Sequence, residues 1–329
     1  MQQFVCSDYG MCGNVRLNWP AYVLQGYGWD ILATNRILLG LDTDRILVQR
    51  CAEKQSFDIL AKFPNTTKRI LDYDDLVFGS GLPSYNFVKD EYDIGSMTKA
   101  IADGLSIVDE VRVSTECLAD SFKDTFRGYT NVRVVQNYLP RFLFGSTSRK
   151  SIRKDITNPT ILYSGSSTHY SDTDTGDFSK DLVTTLLEHS DDITLVFLGK
   201  CPPFLKDIEH KCLVLPFVSN LDYPRVISAI KPDFLLAPLK ENAFNCCKSN
   251  LKYLEGCAIG AITIGSMFVN SPYTCIPDQA KITNDMSSKT IWDTIQGLCK
   301  KDNYNRTLTE QYTWMDQYGW LEDHILEWD

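Results

Sequence analysis

One stretch, residues 234–265, limits the fold more than any other. An apolar run, Phe234-Leu235-Leu236-Ala237, is stopped by Pro238, and a second apolar run occupies residues 261–264. Between them Leu251, Leu254 and Ala258 recur at helical spacing, and Gly260 closes the helix. Strand, loop, helix and strand in that order form a parallel crossover, which places the loop before the helix at the carboxyl edge of a sheet. Free N–H groups of the first helical turn point outward there, backed by the positive end of the helix dipole. Lys248, Ser249, Asn250 and Lys252 lie in or beside that turn, so the segment suits a phosphate. The plainer alternative is an ordinary α/β helix with two solvated lysines and a solvated Glu255.

The same alternation runs through both halves. Phe4-Val5-Cys6 is a first strand, Gly10-Met11-Cys12-Gly13-Asn14 a glycine loop, and residues 15–27 a helix interrupted by Pro20, with Arg16 the nearest fixed positive charge. Later strands end at Gln49-Arg50, at Asp72-Tyr73-Asp74-Asp75 and at Gln136-Asn137. A second series opens with Thr160-Ile161-Leu162-Tyr163 and the loop Ser164-Gly165-Ser166-Ser167-Thr168-His169. It continues through Leu213-Val214-Leu215-Pro216-Phe217. The expectation is an α/β protein of two Rossmann-like domains facing an interdomain cleft. Residues 1–140 form the first domain, 141–154 a basic linker and 155–300 the second domain. Residues 301–329, carrying Trp314, Trp320 and Trp328, form terminal helices.

With 329 residues, each half is long enough for its own core. A net charge of -9 opposes a general nucleic-acid binder but leaves room for a local basic groove. The eleven cysteines are scattered without a Cys-x-x-Cys pair, which argues against a zinc ribbon and for a reducing compartment. No apolar run reaches membrane-spanning length, so no membrane insertion and a cytoplasmic location are expected. No obligate protein partner is evident.

The acidic cluster after the fourth strand admits three readings. Asp72-x-Asp74 has the spacing of a carboxylate pair for a hard cation. Asp74 or Asp75 could instead be functional carboxylates, since such residues collect just beyond strand ends. The third reading is loop capping, favoured for Asp72. His169, after a strand end, is either a ligand-facing or a packing histidine.

Glu255-Gly256-Cys257-Ala258-Ile259-Gly260 resembles the closing motif of the nucleotide-sugar signature in GT-B glycosyltransferases close to family 4. Gln49-Arg50, Asp72-Tyr73-Asp74-Asp75-Leu76 and Leu82-Pro83-Ser84-Tyr85-Asn86 resemble a group of such enzymes common in bacteriophages and bacteria. The resemblance implies a retaining transferase whose co-substrate is a nucleotide diphosphate sugar, UDP-sugar favoured, with no metal or other cofactor. It puts the diphosphate at Lys248, Ser249, Asn250 and Lys252, and the ribose on Glu255. Gly13, Asn14 and Arg16 face the phosphates from across the cleft, Gly165, Ser166 and Ser167 reach them from the second sheet, and the base lies near Phe217. Asp74, Asp75, His169 and Lys248 are the catalytic candidates. The terminal helices pack back on the first domain. The family's first signature glutamate falls on Cys247, a departure that leaves the acid's role near the donor sugar unfilled. For the acceptor, a hydroxymethylated pyrimidine in DNA is the leading expectation, with the basic linker meeting phosphates. The alternatives are a cell-envelope saccharide, a metal-dependent GT-A enzyme at Asp72-x-Asp74, or a non-catalytic nucleotide-sugar or nucleic-acid binder on the same fold.

Overall fold

The computed structural model describes residues 1–6, 10–79, 82–86, 90, 93–144, 154–307 and 315. Among them are two six-stranded sheets. The first holds β1 (Gln2–Val5), β2 (Ile31–Thr34), β3 (Arg45–Gln49), β4 (Lys68–Tyr73), β5 (Glu110–Val113) and β6 (Val132–Val134), in the order β2-β1-β3-β4-β5-β6. The second holds β7 (Thr160–Tyr163), β8 (Thr194–Leu198), β9 (Leu213–Leu215), β10 (Phe234–Ala237), β11 (Ile262–Ser266) and β12 (Lys281–Ile282), in the order β12-β11-β10-β7-β8-β9. Every pairing is parallel. Helices cover both faces of parallel sheets, so the central strands read as unbroken apolar runs; all four residues of β10 are buried.

Each sheet reverses direction once. The first turns back between β1 and β3, the second between β7 and β10. At such a reversal the loops leaving the two strands diverge, which opens a crevice at the carboxyl edge. The residues following β1, β3, β7 and β10 therefore determine what the molecule can bind.

The two halves are tied together. One buried cluster runs from Phe4 and Leu17 of the first sheet's layer, through Leu139 and Phe144, to Ile161 and Phe234 of the second. Conversely Phe244 and Cys247, which follow β10, belong to the core of the first half beside Val113 and Phe122. Across this seam Thr115 Oγ1 donates to the Cys247 carbonyl (3.0 Å) and Asn137 Nδ2 to Ser249 Oγ (2.7 Å).

The glycine loop expected after β1 is helical instead. A turn at Met11–Gly13 runs into a π-helical segment, Asn14–Asn18, and then the α-helix Trp19–Gly26. Pro20 does not interrupt it: proline sits in the first turn of the α segment, where its missing N–H costs nothing once the widened turn precedes it. Of the basic linker, residues 145–153 lie outside the described residues. The terminal helices do so from residue 308 on, apart from Met315, which is buried and donates its N–H to the Leu139 carbonyl (3.0 Å). No helix among the described residues is long and apolar enough to cross a membrane.

Glu110 on β5 shows how charge is buried in the first sheet. Its carboxylate accepts from Lys68 Nζ (2.7 Å) and Arg112 Nε (2.8 Å). Burial opposes ionisation here, but Arg112 and Lys68 outweigh it and hold the carboxyl down at about 2. The stability this gives is present above the unfolded-chain value near 4.3 and is lost as pH falls toward 2; it amounts to about 3 kcal/mol at most. In urea unfolding, Glu110→Gln is expected to be less stable than the parent at pH 7, with the gap shrinking as pH falls from about 4 to about 2.

Candidate functional site

The crevices of the two sheets face each other and merge into one cleft of about 450 Å³. Its second-sheet wall is built from three loops. Ser164, Gly165, Ser166, Thr168 and His169 follow β7, Phe217 and Val218 follow β9, and Lys248, Ser249, Leu251 and Lys252 lead into the helix Leu251–Ile259. The first turn of that helix opens onto the cleft as the sequence implies, but the helix begins later than Lys248. A separate short turn, Ala243–Cys246, comes first and is capped by Asn242, whose Oδ1 accepts from Asn245 N–H. Asn250 is the N-cap and is not among the cleft-lining residues; its Nδ2 reaches Cys275 Sγ.

Lys252 holds the centre of this wall. Its ammonium gives hydrogen bonds to Ser164 Oγ (3.1 Å), Tyr223 OH (2.9 Å) and Glu255 Oε2 (2.9 Å). Burial disfavours the charged form, yet Glu255 and Tyr223 more than compensate and raise the lysine above its ordinary value. Glu255 lies beneath, fully buried, with Oε2 also accepting from Tyr223 OH (2.7 Å) and Oε1 without a partner among the described residues. A buried carboxylate oxygen left unpaired is costly, so Oε1 is suited to a hydroxyl donor from a ligand. The side chain does not itself line the cleft; its two donors, Lys252 and Tyr223, do.

Phe217 is 63% exposed at the cleft edge and packs on Gly199, whose φ of +122° and bare Cα face admit the ring. A methyl group at Gly199 would stand 2.6 Å from the ring. The phenyl face is thus held ready for a planar group.

The first-sheet wall comprises Met11, Cys12, Val15 and Arg16 after β1, Arg50 after β3, Asp74 and Asp75 after β4, and Asn137 after β6. Gly13 and Asn14 do not line the cleft. Gly13 is buried within the first helical turn, and Asn14 bonds back to the Gly10 carbonyl through both N–H and Nδ2. Arg16 reaches the cleft edge, but its guanidinium is already engaged. Nε and Nη2 grip Asp72 at 2.9 and 2.7 Å, and Nη1 bonds the Val135 carbonyl and Asn137 Oδ1. This clamp joins the helix after β1 to the ends of β4 and β6, which makes Arg16 a support of the wall and accounts for Asp72, expected as a loop cap.

The acidic cluster is charge-compensated. Arg50, in the left-handed backbone region at φ +51°, places its guanidinium on Asp74 (2.8 and 2.9 Å) and Asp75 (2.8 Å). Lys248 Nζ adds a contact at 3.5 Å to Asp75 and sits 4.5 Å above the Phe244 ring. Burial would push Asp74 up; Arg50 dominates and holds it well below the usual range. Cys12 Sγ and the two carboxylates lie within 4.8 Å of one another, the spacing of a metal cage, but a guanidinium already supplies the positive charge there. A strongly paired carboxylate is a poor proton acceptor.

Cys247 stands where the resemblance expects an acid, and it is buried away from the cleft. Its Sγ lies 3.4 Å from Ser121 Oγ and 3.9 Å from Cys117 Sγ. A carboxylate there would be stranded in the first half's core. His169 does face the cleft, and its Nδ1 is 2.7 Å from Asp177 Oδ2. Asp177 is buried, and burial would raise it, but bonds from His169, Tyr85 and the Lys240 N–H keep it below its ordinary value and ionised. Sequence reasoning singled out neither Asp177 nor Tyr223. Asp177 reads as loop polarity before a helix, and Tyr223 as helix packing.

Beside this cleft, sharing Arg50, Asp75, Thr168 and Lys248 with it, lies a second cavity of about 680 Å³. Its floor is apolar, with Val77, Leu82, Ile94, Met97 and Phe244, and Glu53, Lys54 and Asp93 stand among its walls.

No family model matches the chain, and no curated protein matches it. Solved structures match it in shape. An alpha-glucosyltransferase in complex with UDP-glucose and DNA containing an abasic site superposes at TM-score 0.61 with 11% identity, over 99% of this chain and 98% of its own. HepE of Anabaena in complex with UDP gives 0.57 at 10% identity, over 94% of this chain and 91% of its own. The fold is GT-B. TarM also matches, at TM-score 0.53 and 11% identity over 85% of this chain, which spans about half of TarM's length (53%). In this GT-B fold the two walls of the cleft are the carboxyl edges of the first and second sheets.

Proposed function

We propose that this chain is a glycosyltransferase that moves a sugar from a nucleotide diphosphate sugar, UDP-sugar first, to a hydroxyl acceptor with retention of configuration. The observation that carries the proposal is the meeting of three features on one wall. These are the segment Lys248 to Lys252 leading into the helix Leu251–Ile259, the hydroxyl-rich loop from Ser164 to Thr168, and the exposed face of Phe217. Diphosphate, sugar and base would find an anion site, hydrogen-bond donors and a stacking platform in that order. As the glycosidic bond breaks, charge grows on the leaving diphosphate. Fixed dipoles and the Lys248 and Lys252 ammonium groups stabilise it, so the chemistry needs no metal. Glu255, through Oε1, would accept a ribose hydroxyl.

The acceptor enters the neighbouring cavity, whose opening shares Asp75 and Lys248 with the donor cleft. An apolar floor with polar walls suits a flat, hydroxyl-bearing group lifted out of its polymer. A hydroxymethylated pyrimidine of DNA is the proposed acceptor, with unstacking compensated by the apolar floor.

Calorimetric titration with UDP, GDP, ADP and their sugars tests the donor. UDP-sugar is expected to bind with or without chelator, and Phe217→Ala to weaken it roughly tenfold, the size of one lost stacking contact. Transfer to hydroxymethylcytosine DNA, with the product anomer read by NMR, tests acceptor and stereochemistry. Absence of binding by every nucleotide sugar would overturn the proposal.

A further inference from the structure

Asp177 joins the two halves of the molecule through a single buried carboxylate. Oδ2 meets His169 Nδ1 at 2.7 Å, and Oδ1 accepts from Tyr85 OH (2.5 Å), Asn245 Nδ2 (2.6 Å) and the Lys240 N–H (3.0 Å). His169, Asn245 and Lys240 belong to the second half, whereas Tyr85 comes from the first. Tyr85 OH also receives Nδ2 of Asn242 and of Asn245, both at 3.1 Å.

We infer that Asp177 is a positioning residue that orients His169 toward the transferred sugar, and that Tyr85 completes this arrangement only when the two halves are together. The inference rests on the transferase reading above. An ionised carboxylate cannot donate, so the imidazole must, and the proton is on Nδ1. Nε2, which has no partner among the described residues, is then the ring atom left for a ligand in the cleft that His169 lines. In the neutral ring that atom is an acceptor. It matches a sugar hydroxyl rather than a phosphate oxygen, which moves His169 from the diphosphate to the sugar. Because one of the donors to Asp177 comes from the opposite half, separating the halves removes it and loosens the carboxylate that holds the ring. Assembly of the cleft and orientation of the histidine are thus one event.

The test uses the full chain with 15N-labelled histidine. The four histidines are distinguished by a His169→Gln control. The parent is expected to show His169 with its proton on Nδ1. Asp177→Asn, which can donate to the ring, is expected to shift the proton to Nε2, and Tyr85→Phe to yield a mixture of tautomers. Donor KM should stay within about twofold in both variants, while kcat falls about 100-fold in Asp177→Asn and several-fold in Tyr85→Phe, the scale of a misplaced group. An unchanged tautomer in both variants, or a parallel loss of KM and kcat, overturns the inference. UDP titration of the same samples separates the two failures. Loss of all nucleotide binding by the parent condemns the transferase reading, whereas the ring spectra decide the positioning claim alone.

Discussion

Arg16→Met is expected to destabilise the protein by about 3–5 kcal/mol, the cost of stranding a buried carboxylate whose cation has been removed. Asp72 is almost wholly buried, and Arg16 holds it through two hydrogen bonds. Without the guanidinium, the Val135 carbonyl and Asn137 Oδ1 also lose their donor. Adding Asp72→Asn should recover a large part of the loss, because the charge goes while the shape stays. Urea unfolding of the parent, the single and the double variant measures this. The same proteins decide what Arg16 does in the cleft. If it supports the wall, UDP affinity of the folded fraction stays within a few-fold of the parent. A loss of about 100-fold in folded protein would instead make it a phosphate ligand, since a hydrogen bond between charged groups is worth about 1.5–3 kcal/mol.

The second large effect is expected at Lys252. Lys252→Met removes the ammonium that bonds Ser164, Tyr223 and Glu255, leaving Glu255 buried with Tyr223 as its remaining donor. Folding stability should fall by about 3 kcal/mol from the uncompensated carboxylate and, on the proposed donor site, UDP affinity by about 100-fold from the lost charge. Glu255→Gln in the Lys252→Met background separates these losses. Stability should return because a neutral amide replaces the stranded charge, while affinity should remain low. Recovery of both together would mean that Lys252 acts on the nucleotide solely through the fold. Thermal unfolding and calorimetric titration of the parent, Lys252→Met, Glu255→Gln and the double variant give the cycle, with Glu255→Gln alone reporting that residue's own share of the affinity.

Much of the architecture was readable because parallel strands buried on both faces leave unbroken apolar runs such as Phe234-Leu235-Leu236-Ala237, and strand ends then mark the edge where ligands bind. That logic located Lys248, Ser249 and Lys252, the Ser164 to His169 loop, Phe217, and Asp74 with Asp75, all of which line the cleft except Ser167, whose side chain lies outside what is described. It failed at Gly13 and Asn14, where a glycine pair looked like a loop and proved to be a helix start. A local pattern does not say whether glycine is used for freedom or for close packing.

What the chain determined unaided was therefore the order of its strands and helices and the chemistry waiting at their ends, since both follow from neighbours in sequence. Tertiary structure alone decided which charges are available. Arg16 is neutralised by Asp72, 56 residues away, Arg50 by Asp74 and Asp75, and His169 is oriented by a node that includes Tyr85, 92 residues from Asp177. The physical reason is that an ionisable group's strength depends on burial and on partners within a few ångströms, and those partners come from distant segments that only the packed sheets bring together.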